Sequence, residues 1–434
     1  MNPKPEDGSI SVRIDKVVYP GRSLAGHQGK ALFTDEGLPG ELVKLKVLKE
    51  RPAFFEARTL SILEASDKRR EPRCAHYRAC SPYQVIDYSF QTELKKAQVT
   101  EMLGHELGLE VGPLTMKASP ETWGYRNKAR FHLVGREGKL SLAYHEPDSP
   151  RDLVPVQSCF LLSERMNALL ASALALLNKA KVTAVKEVEV RESARQGDLL
   201  LILAGERFKK GTLPGSFGPE LKKTFSPAGL IWQTAPGGSG TEIILAGKDY
   251  IEDRVGGLVY RLGGRSFFQV NRFLLEEAVG EVRNIAARVE ARRIADLYCG
   301  LGTFGLALAA GAEEVWGVEQ DPVNVGFLRQ NIRLNGIDNF AVRSGPAEEW
   351  LERALAWKPD LVMVDPPRKG LGPRVTDPIL KTPPPWLLYL SCDPATLTRD
   401  LKSLLRVYAL HRLTIYDFFP HTPHIETLSL LGRR

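Results

Sequence analysis

Cys392 sits in Ser391-Cys392-Asp393-Pro394, directly after the apolar run Trp386–Leu390, and Glu426 sits in His424-Ile425-Glu426. An apolar run of that length reads as a buried strand, which puts the cysteine at a strand end. A thiolate there is a nucleophile that can add to an electrophilic carbon, and a carboxylate can remove a proton later in the same reaction. Neither residue suffices alone. Free cysteines are usually buried packing residues and glutamates are usually solvated. Cys299, within an otherwise apolar strand, reads as such a packing residue.

A second group of residues has the spacing of a ligand cradle. Ile294-Ala-Asp-Leu-Tyr-Cys-Gly-Leu-Gly-Thr-Phe304 reads as a strand, a tight turn and a helix start. Gly300 and Gly302 allow the backbone to approach a ligand closely, although the third glycine of a dinucleotide fingerprint is misplaced. Glu319 ends the next strand, where a carboxylate can accept hydrogen bonds from two ribose hydroxyls. Asp365-Pro366-Pro367-Arg368 ends a third strand. Amino-nitrogen methyltransferases place an aromatic after a similar Asp-Pro-Pro; Arg368 stands here instead, which argues against an exocyclic amine as target. One chemistry needs a cysteine and a late-acting base together: methylation of carbon 5 of a pyrimidine. That carbon is a poor nucleophile until a thiolate adds to carbon 6, and its proton must leave before the cysteine can.

These residues need elements to hold them. Residues 9 to about 64 read as short strands broken by glycine turns. Ile10, Val12 and Ile14 share one face, and Lys44 and Lys46 share the outward face of Leu42–Leu48. The reading is a small antiparallel barrel with a basic surface. Arg69–Tyr83 reads as a loop with Cys74 and Cys80, followed by a helix over Tyr88–Leu109 with Leu94, Val99, Met102, Leu103 and Leu107 on one side. Residues 121–255 are strand-rich, interrupted by a helix at Glu164–Lys179. After 256, strands ending at Leu297, Val318, Val364 and Leu390 alternate with helices, which predicts a doubly wound, mostly parallel sheet. Ligands bind such sheets at the carboxyl ends of the strands, where every residue above falls. The expected organisation is a barrel over 1–65, a central β-rich α+β domain over 66–255 and a catalytic α/β domain over 256–434.

Taken together, the motifs resemble the TRAM-containing RNA uridine-C5 methyltransferases nearly end to end. The resemblance is carried by Leu38-Pro-Gly-Glu41, Gly124-Tyr-Arg-Asn-Lys128, Phe267-Phe-Gln-Val-Asn271, Asp296–Phe304, Asp365-Pro-Pro-Arg-Lys-Gly370, Ser391-Cys-Asp-Pro-Ala-Thr-Leu397 and His424-Ile-Glu426, in the family's order. It implies a TRAM barrel and a Rossmann-like catalytic domain that uses S-adenosylmethionine. It further implies Cys392 as nucleophile, Glu426 as base, and cofactor contacts from Gln269, Tyr298, Thr303, Glu319 and Asp365 beside Gly300 and Gly302. Thr303 stands where many relatives carry Asn. Arg126 is implied in positioning RNA, and the helix near 93–110 in packing back on the catalytic domain; Lys44 and Lys46 are candidate RNA contacts from their place on the basic face of the barrel. Relatives with an iron–sulfur cluster carry Cys-x5-Cys-Gly-Gly-Cys and a distant fourth cysteine. Cys74, Cys80 and Cys159 match three of these, while Tyr83 takes the place of the remaining one, so the question of a cluster stays open.

Composition is consistent with this. The 59 basic residues against 52 acidic ones give +7, which suits a polyanionic partner. No run of eighteen apolar residues predicts a membrane span, and Met1–Asp7 lacks the apolar core of a signal peptide. A cytoplasmic monomer with reduced cysteines is expected. The expected partner is RNA, with 23S ribosomal RNA favoured and transfer RNA the alternative. Cytosine-C5 methylation and an inactive RNA-binding assembly factor are the competing readings.

Overall fold

The computed structural model describes residues 9–434 apart from 109–113, 137, 148, 194–196, 210, 226, 236, 238 and 239. The N-terminal residues read above as unlike a signal, and the expected helix end at 109–110, lie outside the described residues. Strands β1 (Ser9–Arg13), β2 (Lys16–Val18), β3 (Arg22–His27), β4 (Lys30–Thr34), β5 (Leu42–Glu50) and β6 (Phe54–Glu64) form a curled sheet in the order β1-β5-β6-β4-β3-β2. Every pairing is antiparallel except β4 with β6, which is parallel where the sequence suggested an all-antiparallel arrangement. Alternation drives the curl: Val12, Val43, Leu45, Phe55 and Ala57 turn inward to one core. Lys44 and Lys46 lie on the opposite face of β5. Glu41, of the Leu38–Glu41 motif, is fully buried and joins this sheet to the next segment. Burial alone would raise its pKa. Arg69, together with the backbone N–H groups of Leu38 and Ser66, instead holds it below the usual carboxylate range.

The cysteine loop contains a single helical turn, α1 (Tyr77–Cys80), and a 3-10 turn over Pro82–Val85. Then comes α2 (Tyr88–Leu107), capped by Asp87, whose side chain accepts from Ser89 N–H. After β7 (Thr115–Lys117) the chain enters a seven-stranded sheet. It is built from β8 (Lys128–Arg136), β9 (Lys139–Glu146), β10 (Ser149–Val156), β11 (Val185–Glu192), β12 (Leu199–Gly205), β13 (Gly229–Gln233) and β14 (Glu242–Gly247), with α3 (Glu164–Lys179) and α4 (Phe217–Thr224) against one face. A hairpin follows, β15 (Tyr250–Val255) and β16 (Leu258–Gly263), turning at Gly256-Gly257, both with positive φ. The expected boundary at 255/256 falls on this turn.

The third sheet has eight strands in the order β19-β18-β17-β20-β21-β23-β22-β7. Its members are β17 (Arg293–Leu297), β18 (Glu314–Glu319), β19 (Phe340–Ser344), β20 (Leu361–Val364), β21 (Trp386–Ser391), β22 (Tyr408–Tyr416) and β23 (Glu426–Arg433), with β7 at the edge. All run parallel except β23, which is antiparallel to both neighbours. Alternate residues divide between two cores. Ile294, Met363 and Leu388 face α5 (Arg272–Arg288), α6 (Gly305–Ala309) and α7 (Pro322–Leu334). Ala295, Val362 and Leu387 face α8 (Ala347–Ala356), α9 (Pro373–Lys381) and α10 (Pro394–Leu404). Val99 and Leu103 of α2 join that second core, so a helix from before the seven-stranded sheet packs on this one. Among the described residues no helix is long and apolar enough to cross a membrane.

Candidate active site

The reversed strand explains how Cys392 and Glu426 meet. Ser391 of β21 is paired with Thr427 of β23, so the next residues in register are Cys392 and Glu426. Because β23 runs backwards, its first residue lies at the carboxyl ends of the parallel strands. Asp393 caps α10, accepting from Ala395 and Thr396 N–H at 2.9 and 3.0 Å, which fixes the backbone just after the cysteine. Cys392 is half-buried; Glu426 is buried, with one carboxyl oxygen lacking a protein partner. Burial, then the charges of Glu426 and Asp365, push the Cys392 thiol up to about 12. Burial and Asp365 raise Glu426 well above the carboxylate range, and Arg368 opposes both shifts.

Beside this pair a small pocket is lined by Phe267, Gln269, Asp296, Tyr298, Cys299, Gly300, Thr303 and Asp365, among others. Gly300 and Gly302 have φ of +57° and +94°, and an added Cβ on Gly302 would stand 2.6 Å from Leu328. Glu319 accepts from Gly300 N–H at 3.0 Å and from Asp321 N–H at 2.7 Å, so its carboxylate holds the glycine turn in place. Gln269 and Asp296 each present a buried oxygen with no protein partner. Burial lifts Asp365 to about 7, and burial with the charge of Asp365 raises Asp296 well above the usual carboxylate range. Among the described residues no cation acts on Asp296 or Asp365, and desolvated acids of this kind suit a positively charged ligand.

Other expected residues lie elsewhere. The backbone of Arg126 bridges to Leu162 and Asn271, and its guanidinium lies over Tyr125 beside Cys159. Lys44 and Lys46 are on the N-terminal sheet, away from the pocket lining. Three residues escaped the sequence reading. Asp296 stood in a quoted motif but was given no role there, and Phe267, 62% exposed at the pocket rim, belonged to a motif read for its glutamine. Tyr19 reaches the site from the N-terminal sheet, where burial and the charge of Asp393 push its hydroxyl above its usual range and Cys392 contributes. No local signal marked it.

The sequence profile of the tRNA (uracil-5-)-methyltransferases matches residues 87–434. The chain belongs to this family. A protein named an uncharacterized RNA methyltransferase from Gloeobacter violaceus is 33% identical over 98% of this chain and 96% of its own. Another so named, from Caldanaerobacter subterraneus subsp. tengcongensis, is 29% identical over 98% of both. The crystal structure of Pyrococcus abyssi tRNA (uracil-54, C5)-methyltransferase with S-adenosyl-L-homocysteine superposes with a TM-score of 0.77 at 22% identity. It covers 97% of this chain and 99% of that one, so the two share a fold.

In this RNA methyltransferase the cysteine loop does not fit a four-thiolate cluster. Cys74 accepts from the Gln84 amide at 3.2 Å, and Cys80 lies 3.1 Å from the Ser81 hydroxyl. Burial pushes Cys80 up to about 12 and raises Cys74 and Cys159 in the same direction, and the three thiols lie near enough to act on one another. Tyr83, at the missing ligand's place, is buried in the core shared by Val17, Leu38 and Leu94. Among the described residues no three His, Cys, Asp or Glu side chains are placed to hold a metal ion. Protein purified without oxygen is expected to carry no iron, or a labile substoichiometric amount. Iron and sulfide assays showing full occupancy that survives air would contradict this.

Proposed function

We propose that this enzyme methylates carbon 5 of a uridine in RNA through a transient bond between Cys392 and carbon 6 of the base. The carrying observation is the β21–β23 register, which sets a thiol opposite a buried carboxyl beside a pocket lined by the buried acids Asp296 and Asp365. S-adenosylmethionine supplies an electrophilic methyl group on a cationic sulfonium. Gln269, Asp296, Tyr298, Thr303, Glu319 and Asp365 would hold it, with the backbone at Gly300 and Gly302 turned to admit it.

The chain's own residues then act in order. Cys392, half-buried, must give up its thiol proton to solvent before it attacks, and Arg368, whose charge lowers Cys392 and Glu426 alike, favours ionisation. The thiolate adds to carbon 6, and electron density passes to carbon 5, which takes the methyl group. Glu426 removes the proton from carbon 5, and the carbon–sulfur bond breaks as the ring regains its double bond. A carboxylate with so high a proton affinity is a strong base once ionised. The target base must leave its stack to reach Cys392, a cost that RNA contacts elsewhere offset. The curled sheet, read as a TRAM barrel over 1–65 with Lys44 and Lys46 outward, supplies such contacts. The central unit over 66–255 contributes Arg126, and a Rossmann-like unit over 256–434 carries the chemistry.

The resemblance favours 23S ribosomal RNA, whereas the family description and the Pyrococcus abyssi protein name transfer RNA. Labelled methyl transfer to fractionated, unmodified RNA separates these. Label recovered as 5-methyluridine from the ribosomal fraction is the expected result. Recovery from transfer RNA alone would correct the substrate; recovery as 5-methylcytidine, or none, would overturn the function.

A further inference from the structure

The segment that delivers Glu426, Asp417–Ile425, is irregular yet mostly buried. Its fixings come from far upstream. Gln91 and Lys95 lie four residues apart on one face of α2, and both are 0% exposed. Lys95 Nζ donates to Asp417 Oδ1 at 2.6 Å and to the Phe419 carbonyl at 3.1 Å. The Gln91 amide brackets His421: Nε2 donates to Nδ1 at 3.0 Å, and Oε1 accepts from the backbone N–H at 2.8 Å. His421 has φ +64°, a conformation that a non-glycine residue keeps only when its surroundings enforce it. Its ring stacks on Trp123 at 3.9 Å, and its carbonyl accepts from Tyr83 N–H at 3.0 Å. Tyr125 donates to the Pro420 carbonyl at 3.1 Å.

A buried ion pair is a poor source of stability, because desolvating two charges offsets most of their attraction. Apolar side chains could pack α2 at lower cost. What Lys95 adds is direction: two hydrogen bonds from one ammonium, the one to Asp417 short, that set where Asp417 and Phe419 lie. We propose that Lys95, supported by Gln91, is a positioning residue for Glu426, holding Asp417–Ile425 so that the carboxylate meets carbon 5 of the bound base. This rests on the reading that Glu426 removes that proton.

The test uses Lys95→Met and the charge-free pair Lys95→Met/Asp417→Leu, with Glu426→Gln alongside, on the RNA that accepts methyl label. Covalent protein–RNA adduct is followed over time on denaturing gels. Both Lys95 variants are expected to form adduct at the wild-type rate, with unchanged KM for RNA. Resolution should slow by on the order of 10²-fold, as for a base displaced by about 1 Å, so adduct accumulates. If Lys95→Met proves unstable with Asp417 left unpaired, the double variant carries the test. Slowed formation in proportion to slowed turnover, without accumulation, would mark a purely structural role and overturn the proposal. So would normal resolution in the double variant while Glu426→Gln accumulates adduct, and the base assignment would then stand. Absence of adduct in Glu426→Gln would fail the base assignment itself, and the positioning role with it.

Discussion

Glu426→Gln is expected to stall as a covalent protein–RNA adduct, whereas Cys392→Ala forms none and makes no product. On the proposed mechanism the two residues act at opposite ends of the reaction. Without the thiol nothing would activate carbon 5, so methyl transfer should be lost outright. With glutamine at 426, attack and methyl transfer still precede the missing step, because the amide keeps the shape but cannot take the proton at neutral pH. Turnover should fall on the order of 10³-fold, within the range general-base removal produces. Glu426 is buried, so no bulk water reaches it readily to substitute. RNA carrying 5-fluorouridine should trap the wild-type protein similarly, since fluorine cannot leave as a proton does. A slow-migrating band in Cys392→Ala would overturn the nucleophile assignment, and normal turnover in Glu426→Gln would require another base.

Cofactor affinity should rise with pH, and Asp365 should be the main reason. Burial lifts its pKa to about 7, so below that value the empty site holds a neutral acid. A sulfonium cation favours the ionised form; binding therefore releases a proton, and affinity is lost as pH falls through 7. Between pH 6 and 8 the gain should be about tenfold, the linkage limit for one group titrating at the midpoint. S-adenosylhomocysteine, whose sulfur is neutral, should bind nearly independently of pH. Calorimetry on Asp365→Asn should show weaker S-adenosylmethionine binding and a flattened profile. An unchanged slope in that variant would remove Asp365 from the cofactor site.

The elements that position these groups were readable wherever local pattern decided them. The strands ending at Leu297, Val318, Val364 and Leu390 are apolar because both faces are covered, and the structure ends them there or one residue later. Helix α3 spans Glu164–Lys179 as expected, with Ser163 accepting from Met166 N–H as its cap. What local pattern could not carry was pairing. That β23 runs against its neighbours depends on partners, and this reversal puts Glu426 opposite Cys392. The apolar face of α2 was legible, but Gln91, Lys95 and Gln98 are buried beside it because their partners lie in distant segments. Tyr19 was illegible for the same reason.

The parallel pairing of β7 with β22 joins Thr115 to Thr414, 299 positions apart. Contacts of such long range form late, because the chain gains nothing from them until a very large loop has closed. The same closure brings Lys95 to Asp417. The intervening seven-stranded sheet, with a core of its own, can therefore condense while the segment bearing Glu426 is still unheld. A chain arrested at that stage would have bulk and secondary structure but, on the proposed role of Lys95, Glu426 would not yet be held. Methylation activity thus doubles as a readout of finished tertiary assembly, and refolding followed by activity should lag behind refolding followed by circular dichroism.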